Sequence, residues 1–302
     1  MAARTDEGSL EGVGGLEIRW RAWLPEEGMC AIVLLSHGAS EHGGRYAWVG
    51  EQLAAAGYAL YAPDHRGHGR SEGPRALIDR VDNAVADLHT AMALASARHS
   101  GTPTFLLGHS MGGCIALEYA LRYQDELDGL VLSAPVAVLE AASPVTRAIG
   151  NLLSLIAPRA PVFAIDPGLV SRDPGVVRDY EQDPLNYHGR LPARTVAELS
   201  RSVDSFPDRV PTLRLPLLVM HGTGDDLVPI AGSEMVADRA GSEDKTFTRY
   251  DGLYHEILNE PERDRVMDEI VGWLDVRSRG LSPAAPRAES SSGPEAPTGS
   301  MQ

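Results

Sequence analysis

The 302-residue chain carries 42 acidic against 27 basic side chains, a formal charge of −15, and 43% of its residues are hydrophobic. That length holds one large domain or two small ones with a sizeable core. The acidic balance argues against a nucleic-acid partner, gives no attraction to anionic lipid headgroups, and fits a neutral substrate.

The chain begins without an apolar signal-like stretch, and no run reaches the roughly 20 apolar residues that span a bilayer, so a cytoplasmic location is expected. Leu16, Ile18 and Trp20 alternate with Glu17 and Arg19, which predicts a half-exposed edge strand. Apolar strand runs follow at 32–36, 58–62, 105–107, 130–133, 217–220 and 247–250. Helical patterns at 46–56, 81–99, 111–123, 232–240 and 262–276 fill the gaps. Alternation of this kind predicts an α/β fold with a mostly parallel central sheet flanked by helices. Cys30 falls in a predicted core strand and Cys114 in the helix after Ser110, and both read as buried free thiols with no disulfide framework or metal site.

The stretch 136–211 interrupts the alternation. So long a loop without structure is improbable, so it is expected to be an inserted helical cap, with the core formed by 10–135 and 212–278. Within it Ile149, Leu152, Leu153 and Ile156 lie at helical spacing. A helix this apolar above a site serves as the lining of an acyl-chain tunnel, as packing of the cap on the core, or as a docking face. The docking face would meet a membrane, a lipid droplet or a second copy of the chain. Ile149 and Leu152 are the expected tunnel residues. The tail, 279–302, is rich in Ser, Pro, Ala and Gly without periodicity and is expected to be disordered.

The strongest chemical signal is Gly108-His109-Ser110-Met111-Gly112, a G-x-S-x-G pattern between a strand and a helix. A serine hydroxyl needs an exposed turn, a base and donors for the oxyanion it creates. An acid and then a histidine should follow in chain order. The turn after the 217–220 strand carries Asp225 and Asp226, and the loop after the 247–250 strand carries His255. Side-chain chemistry alone leaves the acid open between Asp225 and Asp226. Chain order selects His255 from ten histidines, leaving His37, His42, His65, His68, His109 and His221 mostly structural. The N–H of Met111 and that of Ala39, in the turn after the 32–36 strand, are the expected oxyanion donors. Asp64-His65-Arg66-Gly67-His68-Gly69-Arg70-Ser71 reads as a turn buttressing the oxyanion loop, not as a metal or phosphate site.

Taken together, His37-Gly38-Ala39-Ser40-Glu41-His42, Arg45-Tyr46, the 64–71 segment, Gly108 to Gly113 and Tyr254-His255 resemble the monoacylglycerol lipases of the α/β-hydrolase superfamily, bacterial members in particular. The resemblance spans about 16–274. It implies the α/β-hydrolase fold and cleavage of monoacylglycerols to glycerol and fatty acid through an acyl-enzyme, with no cofactor. Ser110 would be the nucleophile, Asp225 the acid and His255 the base, with Ala39 and Met111 as oxyanion donors. Glu41 and Arg45 would organise the loop beside the nucleophile, and Tyr180 would bond the glycerol end. A lysophospholipase, a general carboxylesterase or an acyltransferase would use the same machinery.

Overall fold

The protein's structure, a computed structural model, describes residues 3–139 and 144–278. The tail expected to be disordered, 279–302, lies outside the described residues.

The sheet opens with β1 (Arg4–Glu11), β2 (Glu17–Leu24), β3 (Ala31–Ser36) and, after α1 (Ala47–Ala55), β4 (Tyr58–Pro63). The chain continues through α2 (Val81–Arg98), β5 (Thr104–His109), α3 (Met111–Tyr123) and β6 (Gly129–Ser133). The 136–211 stretch then forms α4 (Pro144–Ile156), β7 (Pro161–Phe163), α5 (Pro174–Gln182), β8 (Leu191–Pro192) and α6 (Ala193–Arg209). The chain returns to the sheet with β9 (Leu217–Gly222), α7 (Ala231–Arg239), β10 (Lys245–Tyr250) and α8 (Arg263–Ser278).

Eight strands form one sheet in the order β1-β2-β4-β3-β5-β6-β9-β10. All pairs from β4 to β10 are parallel, and β2 runs antiparallel to both its neighbours. This is the α/β-hydrolase architecture. The five strands β3, β4, β5, β6 and β9 are buried at every position, as parallel strands covered on both faces must be. Their side chains alternate between two cores. Ile32, Leu34, Leu106 and Leu130 pack with α2 and α3 on one face, while Val33, Leu35, Phe105 and Val131 pack with α1 and α8 on the other.

The strand read as an edge at 16–20 is not an edge. β2 pairs with β1 on one side and β4 on the other. β1 escapes the sequence reading, and it precedes the expected start of the core at residue 10, because its residues RTDEGSLE lack apolar alternation. Its partner supplies the pairing, and its charged side chains guard the sheet margin.

Within 136–211, α4 packs along α6 and β7 pairs with β8. Asp173 caps α5 by accepting from Gly175 N at 2.7 Å, with Pro174 at the first helical position. Among the described residues no helix is long and apolar enough to cross a membrane.

Candidate active site

The C-terminal ends of β3, β5, β9 and β10 deliver the predicted residues to one place, as this topology favours. Ser110 follows β5 directly and opens α3, with φ 55° and ψ −122°. A non-glycine residue held there stores strain and needs its surroundings to enforce it. Ser110 N donates to Ser133 O, and Ser110 O accepts from Gly113, Cys114 and Val136. Gly112 permits the turn to seat against β3, since a Cβ there would lie 2.0 Å from Ser36 O.

The loops after β9 and β10 are stitched together. Thr223 N bonds Tyr250 O and Gly224 N bonds Leu253 O, both at 2.9 Å. Gly222 allows the approach, because a Cβ there would stand 2.2 Å from Leu253 O. The result brings His255 Nδ1 to 2.7 Å from Asp225 Oδ2. Asp225 has a fully buried side chain, whereas Asp226 faces solvent. Of the two carboxylates left open, Asp225 is the one that meets His255. Burial pushes the Asp225 carboxyl up, but hydrogen bonds from His221 and then His255 outweigh it and hold the group well below the usual carboxylate range.

Ser110, His255, Ala39 and Met111 line one cavity of about 850 Å³, its mouth included. As the first residue of α3, Met111 has an N–H without an intrahelical acceptor. The loop carrying Ala39 is fixed by Glu41. Its Oε1 accepts from Gly38 N at 2.5 Å and Tyr46 Oη at 2.8 Å, while Oε2 accepts from Arg45 at 2.8 Å. Arg45 also makes two bonds to Glu256, at 2.6 and 2.8 Å, and lies 4.8 Å from the centre of the Tyr180 ring. Tyr180 is buried and lines the cavity with Glu41 and Glu256. Glu256 was not foreseen. The signal for it was a carboxylate beside His255 that needs a cation if buried, and Arg45 is that cation.

His109, between Gly108 and Ser110, lies with its ring centre 4.7 Å from that of His255. Burial first, then the neighbouring His255, lowers its pKa to about 4, so it stays neutral near pH 7. The 64–71 turn packs against the loop after β3. Asp64 accepts from Gly43 N and Arg70 N, and His65 N donates to His37 Nε2 at 2.9 Å. Burial keeps His37, His65 and His68 neutral as well.

The apolar wall differs from the expectation. Ile149 and Leu152 are 61% and 57% exposed and do not line the cavity. Helical spacing identified an apolar face of α4 but not its direction, and that face points outward with Leu155 and Ile156. The 136–211 stretch lines the cavity instead through Val136, Leu139, Ile165, Val170, Leu191 and Leu199. Phe163 lines it too while half exposed, which puts it at the mouth.

Comparison with known proteins agrees with this geometry. The family profile described as "Serine aminopeptidase, S33" matches residues 27–262. The chain is 42% identical over 275 residues to the monoacylglycerol lipase of Mycolicibacterium smegmatis, covering 91% of this chain and 98% of that one. It is 33% identical over 281 residues to the Homo sapiens monoglyceride lipase, covering 92% and 93%. The crystal structure of Paleococcus ferrophilus monoacylglycerol lipase superposes with a TM-score of 0.74 at 28% identity, covering 92% of this chain and all of that one. With a serine turn, a buried His–Asp pair and an apolar cavity on this sheet, the chain belongs to the monoacylglycerol lipase family of α/β-hydrolases.

Proposed function

We propose that the protein hydrolyses monoacylglycerols to glycerol and free fatty acid. The observation that carries the reading is one cavity lined by Ser110 and His255 at one place, an ion-paired polar cluster beside them, and apolar walls elsewhere. Ser110 Oγ attacks the ester carbonyl carbon as His255 Nε2 takes its proton. Asp225 holds Nδ1–H and stabilises the imidazolium, and the N–H groups of Ala39 and Met111 receive the oxyanion. The tetrahedral carbon expels the glycerol alkoxide, which takes the proton from His255. Water, deprotonated by His255, then releases the fatty acid and restores Ser110. The chemistry needs no cofactor.

The acyl chain lies against Leu139, Ile165, Leu191 and Leu199, where each seated methylene contributes about 0.8 kcal/mol. The glycerol end meets Arg45, Tyr180 and Glu41. A peptidase acting at a free N-terminus needs a carboxylate for the substrate ammonium. The two carboxylates that line this cavity, Glu41 and Glu256, are both bound to Arg45, which favours a neutral ester. The 136–211 segment acts as a cap over the core, and its outward face at Ile149, Leu152, Leu155 and Ile156 meets the lipid surface that holds the substrate.

Fatty-acid release from a medium-chain monoacylglycerol tests the reading. It is compared with a diacylglycerol, a lysophospholipid and a short nitrophenyl ester, with and without an added alcohol acceptor. Monoacylglycerol preference that disappears in Ser110→Ala is expected. Preference for lysophospholipid or the short ester overturns the substrate, and dominant transfer to the alcohol overturns hydrolysis. Co-sedimentation with neutral lipid vesicles that falls on Leu155→Ser tests the outward face. A dimer in solution that dissociates with that change assigns the face to a second copy instead.

A further inference from the structure

The carboxylate of Asp225 receives two imidazole rings on one oxygen. His255 Nδ1 stands 2.7 Å from Oδ2, and His221 Nε2 stands 3.0 Å from the same atom. The other oxygen, Oδ1, accepts the N–H groups of Leu227 and Val228 at 2.8 and 2.9 Å. Those backbone bonds already fix the rotation of the carboxylate, so His221 is not needed to aim it.

The hydrogen on His221 can be assigned from its neighbours. Nε2 also lies 3.1 Å from Val228 O. Two acceptors facing one nitrogen require that nitrogen to carry the hydrogen. Nδ1 then accepts from the Ser233 hydroxyl at 2.7 Å. His221 and Ser233 are both fully buried, one near the end of β9 and the other on α7. Ser233 donates to His221, His255 donates to Asp225, and the one Nε2–H of His221 is directed at Val228 O with Asp225 Oδ2 beside it, 3.0 Å from the nitrogen.

We propose that His221 is a positioning residue of the reaction: its Nε2–H, directed at Val228 O and lying beside Oδ2, tempers the pull of Asp225 on His255 and sets the pH at which His255 becomes a free base. The proposal rests on the roles assigned above to Ser110, Asp225 and His255. Oδ2 meets the N–H of His255 head-on and the N–H of His221 at its side, and its negative charge attracts both, stabilising each ring in proportion. Without the His221 donor, the carboxylate acts more fully on His255 Nδ1–H. The imidazolium is then favoured, and deprotonation requires a higher pH. The other ionisable groups around His255 and Asp225 are His109 and the ion-paired cluster of Glu41, Arg45 and Glu256, while the sequence neighbour Asp226 is exposed to solvent. A change at His221 leaves each of these side chains in the chain.

The test is the pH profile of kcat/KM on a water-soluble nitrophenyl ester for His221→Leu and His221→Gln. Glutamine carries an amide N–H near the place of Nε2, whereas leucine carries no donor. In His221→Leu the acidic limb should move up by about half a pH unit to one unit, with the plateau KM unchanged, and His221→Gln should restore it. The far-downfield proton resonance of His255 Nδ1–H should shift in His221→Leu and return in His221→Gln. Should His221→Leu fail to fold, His221→Asn replaces it, since its shorter amide serves the Nδ1 side and does not reach Asp225. An unmoved limb and resonance in a folded variant lacking the donor overturn the inference. Activity surviving in Ser110→Ala or Asp225→Asn instead overturns the underlying assignment, so the two failures are distinct.

Discussion

Arg45 and Glu256, 211 positions apart, make a two-bonded ion pair at 2.6 and 2.8 Å immediately beside His255. The pair fastens the loop after β3, which carries Ala39, to the loop after β10, which carries His255. Glu41 joins on the same guanidinium, so one cation neutralises two buried carboxylates.

Removing that cation should be costly. Arg45→Met leaves two buried carboxylates without a cation, and a loss of about 3–5 kcal/mol is expected in urea unfolding. Adding Glu256→Gln should recover part of it. Unfolding of Arg45→Met at the wild-type midpoint would show that the cluster contributes nothing.

The two adjacent aspartates should separate cleanly. Asp225→Asn should lower kcat on the order of 10⁴-fold at neutral pH, because the amide presents the wrong partner to His255 Nδ1. Asp226→Asn, at an exposed position, should stay near wild type. The reverse ordering in steady-state kinetics would move the acid to Asp226.

Acid should destabilise the fold in two stages. Burial lowers the pKa of His37 and His109 to about 4 and of His68 to about 3, from 6.5 in the unfolded chain. Below pH 6.5 the unfolded state therefore takes up protons that the folded state refuses. Stability then falls as pH drops toward 4, and nothing is lost above 6.5. The carboxyls of Asp225 and Glu256 behave as depressed acids. Burial raises both, yet hydrogen bonds led by His221 hold the first down and the positive charge of Arg45, then its hydrogen bonds, hold down the second. Their stabilisation is present above the ordinary carboxylate range and fades as pH falls below it. Melting temperature against pH should be level above 7 and decline from about 6.5, in keeping with these shifts. A level curve from 6.5 to 5 would contradict the neutral histidines.

The acyl wall and the outer face of α4 should respond differently. Leu199 is buried and lines the cavity, so Leu199→Phe should raise KM for long-chain monoacylglycerols while sparing short soluble esters. Ile149→Ser with Leu152→Ser should leave turnover of soluble esters unchanged, since both side chains face outward. Chain-length profiles of the two variants decide it. A shared loss would place α4 against the substrate.

The sequence by itself determined the chemistry and most of the sheet. Gly108, Ser110 and Gly112 fall between a buried strand and a helix, and that local order already places Ser110 on the turn that the structure shows. Runs such as 32–35 and 105–107 are continuously apolar, as a strand covered on both faces is. The helix at 111–123 matches α3 to the residue. Tertiary structure decided what depends on partners distant in the chain. β1 is polar, and pairing with β2 makes it a strand. Asp225 and not Asp226 meets His255, because the loop after β10 is hydrogen-bonded to the turn after β9. The burial of Glu256 follows from Arg45, and the second ring on Asp225 follows from His221 returning its Nε2 to a carboxylate four residues later. The direction of the apolar face of α4 was equally beyond periodicity. Spacing records which side chains share a face, whereas the packing of α4 on α6 fixes where that face points.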